Sequence, residues 1–229
     1  MTDRVQLFCL PYLGGNSTFY RGLKPYLKSG VLMTPIDPKG HGARIGEAPS
    51  VQLEDYLEDV WTEMQKVRQN VPISLLGYSM GASMAYALYF YLVKRNIHPV
   101  HLFLMANKPP YTADDSVVLS DLDDDAFVRM LVSYGGMPAE VAECRELMEL
   151  FMPTLRADAI LEEKTPWGDP QTVNCNMTVI YGKDDNPGNI MDQWKLCAGR
   201  LCDFYGIPGG HFFMEDHPAE VAEIINRHL

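Results

Sequence analysis

Ile73-Ser74-Leu75-Leu76-Gly77-Tyr78-Ser79-Met80-Gly81-Ala82 is the stretch on which the reading of this chain turns. An apolar, strand-like run from Pro72 to Leu76 leads into Gly-Tyr-Ser-Met-Gly, and a helix-forming run follows from Gly81 to Lys94. A serine on the tight turn between a strand and a helix projects its hydroxyl from the rim of a sheet. The helix start beneath it offers unbonded amides and the positive end of a dipole. Glycine on both sides removes the Cβ atoms that so sharp a turn would crowd. The five-residue pattern is weak by itself, and its place between strand and helix gives it meaning.

Working outward, strand-like and helix-like segments alternate. Val5–Leu10, Val31–Ile36, Pro72–Leu76 and His101–Met105 read as strands in the first half, and Met177–Tyr181 and Asp203–Ile207 in the second. Helical segments are predicted over Ser17–Leu27, Val51–Arg68, Gly81–Lys94, Asn189–Cys197 and Ala219–His228. In Val51–Arg68 the apolar positions Leu53, Tyr56, Leu57, Val60, Trp61, Met64 and Val67 recur at steps of three and four, as an amphipathic helix requires. Continuous apolar strands alternating with helices imply parallel βαβ units buried on both faces. The expected architecture is α/β, a mostly parallel sheet of about six or seven strands flanked by helices, six of them countable, in one domain over 1–229. Residues 112–170 break the pattern with helical signals only. Ser120 with Asp123 resembles a capping pair, Gly135-Gly136 a helix end and Pro138 a helix start. An all-helical insertion of this size is expected to fold over the sheet as a lid.

A serine hydroxyl needs a base, and the base needs an acid to hold it in the useful tautomer. On a strand-turn-helix site the acid and then the histidine follow the serine in the chain. His41 precedes Ser79, His98 and His101 come directly after the nucleophile helix, His217 stands at a helix start and His228 is one residue from the end. His211, in Pro208-Gly209-Gly210-His211, lies just past the last predicted strand, at the carboxyl rim where sites of open α/β sheets form. Gly182-Lys183-Asp184-Asp185 follows the preceding strand, and Asp185 is the expected acid with Asp184 the alternative. Two backbone amides would hold a developing oxyanion, one from Met80 and one from the Pro11-Tyr12-Leu13-Gly14-Gly15 loop, where Leu13 is the choice and Tyr12 the next.

Composition excludes several other classes. The 229 residues suffice for one sizeable core, and a formal net charge of -11 argues against nucleic acid and against an anionic membrane surface. The longest apolar run, Met84–Val93, is about half a bilayer span, and no basic-then-apolar leader opens the chain. Cys9, Cys144, Cys175, Cys197 and Cys202 are odd in number and lack metal or disulfide spacing, so no metal, no cofactor and a reducing, cytoplasmic setting are expected.

The same residues resemble the type II thioesterases, the stand-alone editing members of the α/β-hydrolase superfamily that serve nonribosomal peptide and polyketide synthases. Phe8-Cys9-Leu10-Pro11-Tyr12-Leu13-Gly14-Gly15 is similar to that family's F-x-x-P-aromatic-A-G-G block, with Leu13 where a small residue is usual. Gly40-His41-Gly42-Ala43-Arg44 with Glu47-Ala48-Pro49 resembles its G-x-G-x-R…E-x-P loop, and Gly77–Ala82 differs from G-H-S-M-G-A only in Tyr78. Pro153-Thr154-Leu155-Arg156-Ala157-Asp158 resembles its P-x-L-R-A-D element, and Gly209-Gly210-His211-Phe212-Phe213 its G-x-H-F-F. The resemblance spans nearly the whole chain. It implies hydrolysis of acyl or aminoacyl groups from the phosphopantetheine arm of a carrier protein (acyl or peptidyl) by a monomer. Tyr12 would contact substrate, and Phe127, Met130, Met148, Phe151 and Met152 would line the acyl channel, unless that stripe is the lid's own core. Such carriers are acidic, as is this chain, so Arg21, Lys24 and Lys28 are the candidate docking charges. A small-molecule carboxylesterase or lipase without a carrier partner, and a non-catalytic binder of the same fold, are the alternatives.

Overall fold

The computed structural model describes residues 4–112, 117–185 and 188–229. In chain order the elements are β1 (Val5–Leu10), β2 (Val31–Pro35), α1 (Leu53–Val67), β3 (Ile73–Tyr78), α2 (Met80–Val93) and β4 (His101–Met105). Then come α3 (Asp124–Ser133), α4 (Ala139–Ala142), α5 (Arg145–Lys164), β5 (Asn176–Gly182), α6 (Gly188–Met191), β6 (Cys202–Ile207), α7 (Phe213–Asp216) and α8 (Pro218–His228). The strands lie in the order β2-β1-β3-β4-β5-β6, and every adjacent pair is parallel. The sheet thus has six strands among the described residues, none antiparallel.

Strand alternation sorts the core into two layers. Phe8, Leu75, Leu102, Leu104 and Val179 point to one face, where Tyr56, Val60 and Met64 of α1 and Met84, Leu88 and Leu92 of α2 cover them. Leu7, Cys9, Leu76, Phe103, Met105 and Ile180 point to the other, under Val221, Ala222 and Ile225 of α8. Both faces are dry, which is why the strands read as unbroken apolar runs. α2 runs beneath the sheet's middle and is buried almost all round, so Ser79 at its start is held by the most constrained part of the molecule.

Three predicted helical details differ. Ser17–Leu27 is two 3-10 segments, Ser17–Gly22 and Lys24–Tyr26, because Gly22 loosens the chain and Pro25 has no amide to continue an α-helix. The segment before β6 is the short α6 followed by a 3-10 turn, Asp192–Cys197. Asp123, not Ser120, caps α3, accepting the Ala126 amide at 2.8 Å. Gly135, at φ +78°, ends the turn after α3.

The insertion between β4 and β5 carries α3, α4 and α5, packed on a small core of Phe127, Leu131, Met137, Leu155 and Ala159. Glu163 of α5 accepts the amides of Leu119 and Ser120 at 2.7 and 2.8 Å, tying the front of this lid to its last helix. Arg156 lies over the Phe127 ring and pairs with Asp124. No helix of the described residues is long and apolar enough to cross a membrane. The five cysteines are unpaired thiols.

Candidate active site

Ser79 sits between β3 and α2 with φ 52° and ψ −124°, a conformation L-residues avoid. The surroundings hold it there. Its amide donates to the Met105 carbonyl at 2.8 Å, and its own carbonyl accepts from Ala82 at 2.7 Å and from the Asn107 side-chain amide at 3.1 Å. A Cβ at Gly77 would stand 1.8 Å from the Gly81 carbonyl oxygen, and one at Gly81 would stand 2.3 Å from that of Leu10. Both flanking glycines are therefore steric requirements of the turn.

The loops after β5 and β6 bring the partners in. His211 Nε2 lies 2.9 Å from Ser79 Oγ, and His211 Nδ1 lies 2.7 Å from Asp185 Oδ2. An ionised carboxylate can only accept, so the proton belongs on Nδ1 and the lone pair of Nε2 faces the serine hydroxyl. Asp184, the alternative acid, is exposed and contributes its backbone amide to the Gly209 carbonyl at 3.0 Å. That bond helps to fasten the two loops to each other, which approach so closely that a Cβ at Gly182 would stand 2.2 Å from the Gly210 oxygen. Tyr78 adds a further fastening: its hydroxyl donates to the His211 carbonyl at 2.6 Å, and its ring stacks on Phe212.

For the oxyanion, Met80 is the first residue of α2 and has no carbonyl a turn earlier to bond. In the β1 loop the Gly15 amide is taken by the Tyr12 carbonyl at 2.8 Å and the Gly14 amide by Asp158 Oδ2 at 2.7 Å. The amides of Leu13 and Tyr12 remain the candidates for the second donor, and both residues line the cavity that holds Ser79, Met80, Asp185 and His211. That cavity measures about 380 Å³ and is walled by Leu119, Leu131 and Tyr134 of the lid segment.

The five lid residues expected to line an acyl channel are not in this wall. Phe127 is fully buried in the lid core, and Met148, Phe151 and Met152 pack around that core. Met148 and Met152 face an outer depression with Asp124 and Arg129, and Met130 lines neither it nor the Ser79 cavity. Phe151 borders a separate cavity next door. Helical spacing put an apolar stripe on one side of each lid helix, and the helices used it to pack on one another.

Sequence reasoning missed a second histidine–carboxylate pair. His41 Nε2 lies 2.8 Å from Asp158 Oδ2, with both side chains buried, and His41 Nδ1 donates to the Lys39 carbonyl at 3.0 Å. Burial opposes charge on His41, but the Asp158 carboxylate and the Lys39 carbonyl outweigh it and raise its pKa. Thr154 of the same helix donates to the Gly40 carbonyl at 2.8 Å. The Pro153–Asp158 block is thus where the lid grips the loops after β1 and β2. Glu162 was also missed. Its Oε1 accepts from Ser83 at 2.8 Å and Asn107 at 2.9 Å, while Oε2 is shut off from solvent with no partner among the described residues. Burial pushes this carboxyl up to about 7, against the pull of those two hydrogen bonds.

With this geometry in view, comparison with known proteins places the chain. The thioesterase domain family matches residues 5–229. The gramicidin S biosynthesis protein GrsT of Aneurinibacillus migulanus is 28% identical over 229 residues, covering 99% of this chain and 89% of its own. The human medium-chain S-acyl fatty acid synthase thioesterase is 26% identical over 216 residues, 92% of this chain and 81% of its own. Among solved structures, ClbQ from the colibactin NRPS/PKS pathway superposes with a TM-score of 0.90 at 28% identity, covering 98% and 96% of the two chains. A match running from β1 to the last residue makes the chain a member of the thioesterase family.

Proposed function

We propose that this thioesterase uses Ser79, His211 and Asp185 to hydrolyse acyl or aminoacyl thioesters of carrier-protein phosphopantetheine, in nonribosomal peptide or polyketide synthesis. The observation that carries the reading is the 2.9 Å contact between Ser79 Oγ and His211 Nε2, in a chain related over its length to GrsT and ClbQ. Ser79 Oγ attacks the thioester carbonyl while its proton passes to His211 Nε2. The amides of Met80 and of Leu13 or Tyr12 receive the charge gathering on the carbonyl oxygen. The C–S bond breaks, and the departing sulfur takes the proton from His211. A water then gives a proton to His211 as its oxygen bonds to the acyl carbon, the acyl–Oγ bond breaks, and Ser79 Oγ takes the proton back from His211 as the acid leaves. A thiol with a pKa near ~8.5 departs more readily than an alkoxide, so this acylation asks less of the site than ester cleavage does.

Arg21 and Lys24 are exposed on the 3-10 segments that follow the β1 loop, whereas Lys28 Nζ donates to the Asn226 carbonyl at 3.0 Å. Arg21 and Lys24 are the charges placed to meet an acidic carrier. Intact-protein mass spectrometry of acyl-loaded carriers tests the reading. Loss of the acyl mass with the wild type and its retention with Ser79→Ala are expected. A nitrophenyl ester cleaved far faster than any acyl-carrier would favour a small-molecule esterase instead.

A further inference from the structure

The peptide unit joining Ser79 to Met80 is one rigid plane, with the Ser79 carbonyl and the Met80 N–H on opposite sides of it. Whatever holds that carbonyl therefore aims the amide that meets the oxyanion. Two donors hold it, the Ala82 amide at 2.7 Å and the Asn107 side-chain Nδ2 at 3.1 Å. The Ala82 bond belongs to the start of α2, and by itself it leaves the plane free to pivot. Asn107 supplies a second direction, from outside the helix. The chain that carries Asn107 is firmly held just past β4. The Met105 carbonyl accepts the Ser79 amide at 2.8 Å, and the Ala106 amide donates to the Ile180 carbonyl at 2.9 Å. Ala106 itself has φ 54°, a left-handed conformation uncommon for alanine, and Trp194 Nε1 donates to the Asn107 carbonyl at 3.0 Å.

An asparagine amide presents either its nitrogen or its oxygen to a neighbour, and the neighbours decide which. Asn107 Nδ2 also lies 2.9 Å from Glu162 Oε1 on the lid helix α5. A peptide carbonyl and a carboxylate both accept, so the nitrogen faces them, and a reversed amide would set Oδ1 against two oxygens. Ser83 Oγ, 3.1 Å from the same nitrogen, gives its own proton to Glu162 Oε1 at 2.8 Å. Asn107 and Glu162 both line the cavity that holds Ser79 and His211. Burial without a partner for Oε2 makes this carboxyl costly to the fold, and such groups gather where chemistry is done.

We propose that Asn107 is a positioning residue for the reaction: with its amide oriented by Glu162, it fixes the Ser79–Met80 peptide so that the Met80 N–H points at the developing oxyanion. The inference rests on the Ser79 mechanism above and adds two residues to it. Neither touches the substrate carbonyl. Their effect is preorganisation, which stabilises charge that appears only in the transition state.

The test uses Asn107→Leu, which keeps the shape and removes the donor, with Glu162→Leu and Glu162→Gln beside it. Turnover of butyryl-N-acetylcysteamine is measured together with inhibition by two probes. An alkylthio trifluoromethyl ketone takes Ser79 Oγ at its carbonyl carbon and forms a stable oxyanion, whereas S-butyl-N-acetylcysteamine has no carbonyl to attack. Asn107→Leu should lower kcat about tenfold or more, a part of what losing a whole oxyanion donor costs, with KM little changed. Ki for the ketone should rise by a similar factor, and Ki for the thioether should stay as it is. Glu162→Leu should shift kcat and the ketone Ki in the same direction, and Glu162→Gln, whose Oε1 still accepts from Asn107, should restore both. A merely structural role would lower the melting temperature and the folded fraction without separating the two inhibitors. Wild-type kcat in folded Asn107→Leu, or equal weakening of ketone and thioether, would overturn the proposal. Should Asn107→Leu fail to fold, the Glu162 pair decides it by the same readings. Hydrolysis and ketone binding that persist in Ser79→Ala would remove the Ser79 mechanism itself, a result distinct from a Ser79 enzyme indifferent to Asn107.

Discussion

Asp158, on the lid helix, accepts the backbone amide of Gly14 at 2.7 Å across 144 residues of sequence. The lid therefore does more than cover the site, because it holds the loop that carries a candidate oxyanion donor. His41 completes the arrangement, with its Nε2 2.8 Å from the same carboxylate oxygen.

Asp158→Ala leaves the Gly14 amide without its acceptor and a buried histidine without its counter-charge. Removing one partner of a buried pair costs about 3–5 kcal/mol, so the melting temperature should fall by roughly ten degrees. A displaced donor should also lower kcat on the order of 10²-fold, with a smaller change in KM. Steady-state kinetics on a small thioester, below the variant's melting point, reads both. An unchanged kcat in the folded fraction would reduce Asp158 to scaffold.

The pair also has a pH signature. His41 is raised above its ordinary value of 6.5, so the stability it contributes is complete below that pH and is lost as the pH climbs through the raised value. Wild type should therefore lose its stability advantage over Asp158→Asn as the pH rises above 6.5 and through the raised value. A difference in melting temperature that is flat from pH 5 to 9 contradicts this.

Glu162 titrates in the same direction for a different reason. Its folded value of about 7 stands above the usual 4.5, so the folded state is penalised progressively between those pH values and the penalty then levels off. Glu162→Gln keeps the shape without the charge. It should match wild type near pH 4.5 and be more stable well above pH 7, by on the order of 3 kcal/mol. Thermal melts at the two pH values suffice, and a variant less stable than wild type at pH 8 would refute the assignment.

Tyr78→Phe removes the hydroxyl that holds the His211 carbonyl at 2.6 Å while keeping the ring on Phe212. A lost buried hydrogen bond costs about 1 kcal/mol. Loosening of the histidine loop should lower kcat severalfold with KM little changed. Equal kcat in the two proteins would show that the loop is fixed by other contacts.

Reversing Arg21 and Lys24 to Glu should raise KM severalfold for a carrier-bound acyl group and leave KM for its N-acetylcysteamine analogue unchanged. Parallel changes in both would place the carrier elsewhere on the surface.

Much of this site was legible because its signals are local. Strand, glycine turn and helix around Ser79 are contiguous, and His211 follows a strand directly, so apolar runs and turn residues located both. Spacing from Gly182 favoured Asp185 over Asp184 without excluding the latter, since which of two adjacent carboxylates turns inward depends on how the β5 loop packs against Gly209 and Gly210. The two uses of the lid stripe, core and channel lining, stayed open in the sequence because a helix packing on another helix and a helix lining a channel share one periodicity. The His41–Asp158–Gly14 contact left no pattern, as a carboxylate bonded to a backbone amide constrains no side chain in its partner. The Pro153–Asp158 string was visible as a resemblance, and only the fold shows it to be the grip between lid and loops.

The most direct test of the central claim is to quench the enzyme during turnover of an acyl thioester and map the acyl mass by peptide mass spectrometry. The account predicts the adduct on the peptide bearing Ser79 in the wild type, strongly reduced in His211→Ala, which lacks the base for its formation, and absent from Ser79→Ala. Turnover by Ser79→Ala at the wild-type rate, or an acyl group carried on a different residue, would contradict it.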